Sequence, residues 1–368
     1  MPLWKRKRSP GKQLLARSKH LSASVRGALP RTQPRQPRIA RIASGVAGGL
    51  LGITVGGLAV ASRFGSDVVP LDRSLDAGPH IYSWRGWRVV FYENGPDGAT
   101  PIVLVHSINA AASAYEMRAP FARLGDRYKI YALDLLGFGA SERPPIRYTP
   151  DLYVDLLIDF LREVSGSAHV VATSLSGAFA VQAANRSPEL FKSLLLINPA
   201  GVASLTAPQN PAGKLVEQLY RIPIIGQGLF NVLVSRPSLR YFTRQIYSDP
   251  AFVEHGLIEQ YYLAAHQPGA RYAPAAFIGG GLNTSIRDDL ARLQPRALVL
   301  WSGYNRLQNI DREREAFHSA NPGLRTEVFE DSGGLPQDEQ RERFENLLRD
   351  WIAQREVPGG QQTQQRVG

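Results

Sequence analysis

The stretch that decides the fold is HVVATSLSGAF, His169 to Phe179. A run of β-formers leads into Ser174, small residues stand two positions before and after it at Ala172 and Ser176, and a helical sequence follows. A serine held on so sharp a strand-to-helix turn stands at the carboxyl end of a sheet, and the strained backbone tolerates only small neighbours. The N–H of Leu175, at the helix start, would then point at charge developing beside the Ser174 hydroxyl. Such a serine becomes a nucleophile only if a neighbouring base takes its proton.

Outward from this turn the sequence alternates. HIYSWRGWRVVFYE reads as a hairpin turning at Arg85-Gly86, and further strands are predicted at 102–106, 129–134, 169–173, 193–198, 297–302 and 325–330. These short, nearly continuous apolar runs suit strands buried on both faces of a parallel sheet. Helical segments fall at 113–124, 150–164, 175–187 and 337–354. The expected fold is therefore α/β, a doubly wound, mostly parallel sheet. Between Asn198 and Arg296 no strand is evident, while GKLVEQLY and AFVEHGLIEQYYLAA read as helices. So long an interval must carry its own structure, and a helical cap over residues 201–290 is expected, dividing a core of 80–200 and 291–355.

Charge is distributed unevenly. Residues 1–63 hold 13 of the 43 Lys and Arg and no acid, so the rest of the chain carries 30 basic against 32 acidic residues. The net charge of +11 belongs to a basic arm, residues 1–41, whose composition predicts disorder. A near-neutral body argues against nucleic-acid binding. Residues 42–62, IASGVAGGLLGITVGGLAVAS, are uncharged and flanked by Arg41 and Arg63. At about 1.5 Å per residue, a helix of this length just crosses a hydrocarbon core of about 30 Å. A single transmembrane helix is expected, with the arm cytoplasmic and the globular part extracytoplasmic. Its glycine spacings, such as Gly45/Gly49 and Gly52/Gly56, allow helix-mediated self-association. A cleaved signal or organelle-targeting peptide and a glycine-rich linker are the alternatives. The polar tail, 356–368, reads as disordered. The chain has no cysteine, which removes disulfides and thiol chemistry. Neither a metal-ligand cluster nor a phosphate-binding glycine loop after a strand is evident, and no cofactor is expected.

Taken in order, LVHSIN (104–109), LDLLGFGASERP (133–144), ATSLSG (172–177), LVLWSGYNR (298–306) and FEDSGGLPQDEQ (329–340) resemble the α/β-hydrolase superfamily. The likeness is to its capped group of haloalkane dehalogenases, epoxide hydrolases and esterases, and covers roughly residues 80–355. It implies that Ser174 occupies the nucleophile position. It also implies that His106 braces an oxyanion loop in which Ser107 replaces the usual glycine, with Ile108 N–H as second donor and the Asn109 amide nearby. The family's acid would stand at Asn305, or in some relatives at Asn198, and its histidine at Gly334. All three positions depart from the pattern: an amide cannot stabilise an imidazolium by charge, and glycine offers no base. His255 and His266 fall in the expected cap, and Glu330, Asp331 and Asp338 are the nearby carboxylates. Loss of such a Ser/His unit removes turnover on the order of a millionfold. The sequence therefore predicts a membrane-attached α/β-hydrolase-fold protein that holds a small apolar or ester-like ligand with little or no turnover. The alternative is an active esterase-like hydrolase that uses a non-standard base.

Overall fold

In the computed structural model, residues 69–356 and Ser62 are described. The apolar runs form one eight-stranded sheet: β1 (Pro79–Trp84), β2 (Trp87–Asn94), β3 (Pro101–Val105), β4 (Lys129–Asp134), β5 (Ala168–Thr173), β6 (Phe191–Ile197), β7 (Ala297–Ser302) and β8 (Arg325–Phe329). Their order is β1-β2-β4-β3-β5-β6-β7-β8. The β1–β2 hairpin turns at Arg85-Gly86 as predicted, β2 pairs antiparallel with β4, and every pairing from β4 to β8 is parallel. All six residues of β5 and of β7 are buried, which accounts for their unbroken apolar sequence.

Helices cover both faces of the sheet: α1 (Arg118–Leu124), α2 (Pro150–Phe160) and α3 (Leu175–Arg186) in the first part, then α9 (Arg287–Ala291), α10 (Ile310–Ala320), α11 (Pro336–Glu339) and α12 (Arg341–Glu356). A 3-10 turn, Ala114–Met117, precedes α1. Thr149 starts α2 by accepting the Leu152 N–H, with Pro150 at the first helical position where no N–H is needed. The segment predicted as one helix over 150–164 closes in a π-helical turn, Leu161–Ser165, that ends at Gly166 with φ of 71°. The final predicted helix is broken at Gln340 into α11 and α12.

Between β6 and β7 stand α4 (Pro211–Arg221), α5 (Pro223–Leu233), α6 (Arg236–Ile246), α7 (His255–Ala265) and α8 (Tyr272–Ile278), of which α4 and α7 fall on the two stretches read as helical. They enclose a cluster of their own, with Phe230, Val234 and Ile258 fully buried. Leu335, from the loop after β8, packs into the same cluster.

The chain runs outward from β3 in opposite directions, to β4 on one side and β5 on the other. At such a switch point the loops leaving the carboxyl ends of two neighbouring strands diverge and open a crevice. His106–Asn109 leave β3 there and Ser174 leaves β5, with Val105 and Ala172 in register.

The expected transmembrane helix is not supported. Among the described residues no helix is long and apolar enough to cross a membrane. The 42–62 stretch, apart from Ser62, lies outside the described residues, as do the arm and the tail.

Candidate functional site

Ser174 sits at φ 55° and ψ −127°, a left-handed conformation that a residue with a Cβ adopts only under constraint. The constraint is visible in its backbone bonds: its N–H donates to Ile197 O at 2.9 Å, and its carbonyl accepts from Gly177 N at 3.0 Å and Ala200 N at 3.3 Å. A Cβ on Gly177 would meet Pro199 Cβ at 3.3 Å. Ala172 and Ser176 are buried, as the tight turn demands. Ser176 does more than stay small: its hydroxyl donates to His106 O at 2.7 Å and ties the start of α3 to the loop after β3. Leu175 opens α3, so its N–H has no carbonyl one turn back to satisfy it.

That loop is held from below. His106 is fully buried; its Nδ1 lies 2.6 Å from Ser107 O, and its Nε2 accepts the Leu135 N–H at 3.1 Å. A carbonyl partner requires the proton on Nδ1 and an amide partner requires a lone pair on Nε2, so the ring is neutral and both nitrogens are occupied. His106 thus ties the loop after β3 to the chain leaving β4. Glu116, 2% exposed in the 3-10 turn, was missed by sequence reasoning. Its carboxylate accepts Ser107 N at 2.8 Å, Ser107 Oγ at 2.9 Å and Asn109 Nδ2 at 2.8 Å. Ser107 therefore replaces glycine with a hydroxyl that has a partner, and its N–H is committed, which leaves the Ile108 N–H as the next amide along the loop. The signal available in the sequence was one acid inside the otherwise uncharged ASAYEM.

The three positions that depart from the family pattern lie close to one another. Asn198, just past β6, is 2% exposed at φ 43°. Its Oδ1 accepts Ser302 N at 2.9 Å and Ser302 Oγ at 3.1 Å, and its Nδ2 donates to Gly334 O at 3.1 Å. Asn305 spends its Oδ1 on Leu307 N at 2.9 Å and Gln308 N at 3.2 Å, a turn-closing role. Gly334 N donates to Ile246 O at 2.6 Å, so the end of α6 is seated on this loop. A Cβ on Gly334 would stand 3.0 Å from Ile246 Cγ2 and 3.3 Å from Asn305 Nδ2, and one on Gly333 would strike Ile246 O at 2.2 Å.

The remaining candidates are accounted for. Glu330 and Asp331 are exposed. Asp338 is fully buried in an ion pair with Arg118 and accepts the Tyr247 hydroxyl at 2.8 Å. Burial, reinforced by Asp338, pushes the Tyr247 phenol well above its ordinary range. Glu339 accepts Gly333 N at 2.8 Å and Ser248 N at 3.0 Å. His255 is exposed, and His266 stacks on Tyr262 at 3.8 Å and bonds Tyr262 O at 2.8 Å, both within α7 and its cap. His318 lines a surface hollow of about 490 Å³ with Asp311 and Arg314 on α10. Among the described residues, no imidazole or carboxylate hydrogen-bonds the Ser174 hydroxyl. Among them, too, no group of three or more His, Asp and Glu stands together as a metal site.

Comparison with known proteins agrees with this architecture. A relative from Pseudomonas putida, 2-hydroxymuconate semialdehyde hydrolase, is 25% identical over 293 residues, covering 77% of this chain and 96% of its own. The dihydrolipoyllysine-residue acetyltransferase component of the acetoin cleaving system, also from Pseudomonas putida, is 25% identical over 299 residues, 79% of this chain and 74% of its own. The crystal structure of a serine hydrolase involved in carbazole degradation superposes with a TM-score of 0.61 at 19% identity, over 75% of this chain and 98% of that one. The sequence pattern described as the alpha/beta hydrolase family matches residues 102–347, two thirds of the chain. The chain belongs to the α/β-hydrolase family.

Proposed function

We propose that this family member holds a small apolar or ester-like ligand, lipid-like in character, beneath the helices of 211–278 and beside Ser174, with little or no turnover. The observation that carries the reading is the bond from Asn198 to Gly334, with Ile246 Cγ2 only 3.0 Å from where a Cβ on Gly334 would stand. The loop that bears the histidine in the family's pattern is here closed by an amide and an aliphatic side chain. Without a base Ser174 is a neutral alcohol and a poor nucleophile. The 21 uncharged residues of 42–62 and the basic arm before them support a membrane tether, with the globular part extracytoplasmic and helix pairing through the glycines.

A second reading, an active hydrolase with a non-standard base, is favoured by one feature. Ser174 keeps a backbone conformation that costs on the order of 1–3 kcal/mol, of a kind often retained at working sites. Treating the full chain with a fluorophosphonate probe separates the two. No covalent labelling is expected; labelling that disappears in Ser174→Ala would show an activated serine nucleophile and overturn the first reading. The tether is tested by washing membranes with carbonate, where release of the chain into the supernatant counts against it.

A further inference from the structure

The helices between β6 and β7 carry an apolar edge that no described part of the chain covers. On α4, Leu215 and Leu219 follow at i and i+4, so they share one face, and Ile222 stands in extended backbone just past the helix; all three are exposed, at 57%, 37% and 42%. The buried face of the helix lies on the other side, marked by Tyr220 and by Gly213 against Gly279. The edge continues into the α4–α5 corner, where Pro223 is exposed and Ile224 is 57% exposed. Single exposed apolar residues are ordinary on a protein surface; five along one helix edge and the turn that follows it are not.

The segment that carries this edge is rich in cations. Residues 211–247 contain Lys214, Arg221, Arg236, Arg240 and Arg244 against a single acid, Glu217, which is already bonded to Gln209 and paired with Arg221. Lys214 and Arg244 have no ion-pair partner among the described residues. An exposed apolar edge on a segment with an excess of cations, Lys214 beside Leu215 among them, suits the boundary of an anionic bilayer, where apolar side chains enter the acyl region and cations meet headgroups.

The path of the chain favours that occupant. Gln267, in the turn before α8, accepts Leu71 N at 3.1 Å and donates to Val69 O at 3.2 Å, so the segment arriving from residues 42–62 is pinned to this helical layer. Arg271, four residues later, donates to Gln227 Oε1 at 2.7 Å and joins that turn to α5, three residues past Ile224. Six residues lie between Ser62 and Val69, a reach of at most about 25 Å.

We infer that the edge formed by Leu215, Leu219, Ile222, Pro223 and Ile224 lies on an anionic membrane surface. The inference rests on the tether reading above for its orientation, and it assigns the helical layer a second, peripheral contact with the same bilayer.

Because the chain lacks cysteine, single-site labelling is clean. Full-length Ile222→Cys and, as reference, Ser319→Cys on the exposed side of α10 would carry an environment-sensitive fluorophore in phosphatidylcholine–phosphatidylglycerol vesicles doped with a shallow spin-labelled lipid. Several-fold quenching at 222 and none at 319 is expected. Adding Leu219→Glu and Ile224→Glu should abolish the quenching at 222 while the carbonate-resistant fraction stays unchanged. Equal quenching at the two positions overturns the inference, as do label–label excimers at 222 without lipid quenching, which would assign the edge to a second copy. A chain that resists carbonate but shows no quenching at 222 sinks this inference and leaves the tether standing. Release by carbonate with quenching retained does the reverse.

Discussion

The side-chain nitrogen of Asn198 lies 3.1 Å from the carbonyl oxygen of Gly334, 136 residues further along the chain. The bond joins the loop after β6 to the loop after β8. It explains why an amide suits position 198. Its oxygen faces two donors from Ser302 and its nitrogen faces an acceptor, an arrangement that a carboxylate, acceptor on both sides, would not satisfy.

Asn198→Asp therefore places a buried negative charge against the Gly334 carbonyl. The variant should lose about 2 kcal/mol of stability at neutral pH, read from urea unfolding, and recover part of it in acid, where the introduced carboxyl is protonated and can donate again. Equal stability at both pH values would show that the loop rearranges freely around the charge.

Restoring the family's pattern is blocked by packing and not by backbone strain, since Gly334 is not among the positive-φ glycines. The obstacle is Ile246 Cγ2, 3.0 Å from the site of the missing Cβ. Gly334→His with Asn305→Asp should leave hydrolysis of a p-nitrophenyl ester at background. Adding Ile246→Ala should raise it to a level that depends on Ser174. Activity in the double variant without the Ile246 change would mean that the end of α6 moves aside on its own.

What could be read from the sequence follows from the range of the interactions. Strand cores and the turn at Ser174 are set by neighbours within a few residues, so the runs at 102–106 and 297–302 and the Arg85-Gly86 hairpin were legible. The departures at 305 and 334 were legible too, because a glycine or an amide in a motif announces itself. What surrounds them was not. Ile246 meets Gly334 across 88 positions, and neither residue carries a local signature of the contact. Glu116 looked like one acid on a helix and proves to be the floor of the loop after β3. The break at Gln340 was equally silent, because α11 and α12 together keep one helical pattern.

Glu116 is a direct test of that floor. One carboxylate oxygen faces Ser107 N, and the other faces Ser107 Oγ and Asn109 Nδ2. A glutamine keeps one acceptor and turns an NH₂ toward donors. Glu116→Gln should cost about 2 kcal/mol by urea unfolding. Ser107→Gly, which removes one of those donors, should offset part of the loss in the double variant. Strict additivity of the two changes would contradict a shared network.

His266 gives the chain a pH-sensitive joint. Burial is the main cause that holds its pKa below the ordinary value of 6.5; the Arg236 charge adds to it, and the bond to Tyr262 O opposes it. Arg236 also lies over the Tyr262 ring at 3.6 Å. The folded state thus binds its proton less readily than the unfolded chain, so the unfolded state takes up more protons as pH falls below 6.5. Stability is fully present above that value and declines as pH drops through the window beneath it. His266→Gln should flatten the stability profile below about pH 6.5, measured by urea midpoints. An unchanged slope would assign the acid sensitivity to another group.

The second hub of the fold is Asp134, fully buried at the end of β4. Its carboxylate accepts from Ser74 Oγ at 2.7 Å, Tyr92 OH at 3.1 Å, Ala114 N at 2.7 Å and Ala140 N at 2.8 Å. Gly139 closes over it at φ 53°, and a Cβ there would lie 2.0 Å from Oδ1. Gly98 offers a reference with φ of 80° and open space around it. Gly98→Ala bears only the backbone penalty of about 1–2 kcal/mol. Gly139→Ala bears the same penalty and must also displace a carboxylate with four donors, so it should lose at least twice as much, about 4 kcal/mol or more. Thermal unfolding of the two variants side by side measures the difference. Equal losses would mean that Asp134 can shift without releasing its partners, and would remove it as the anchor of the segment around Ser74.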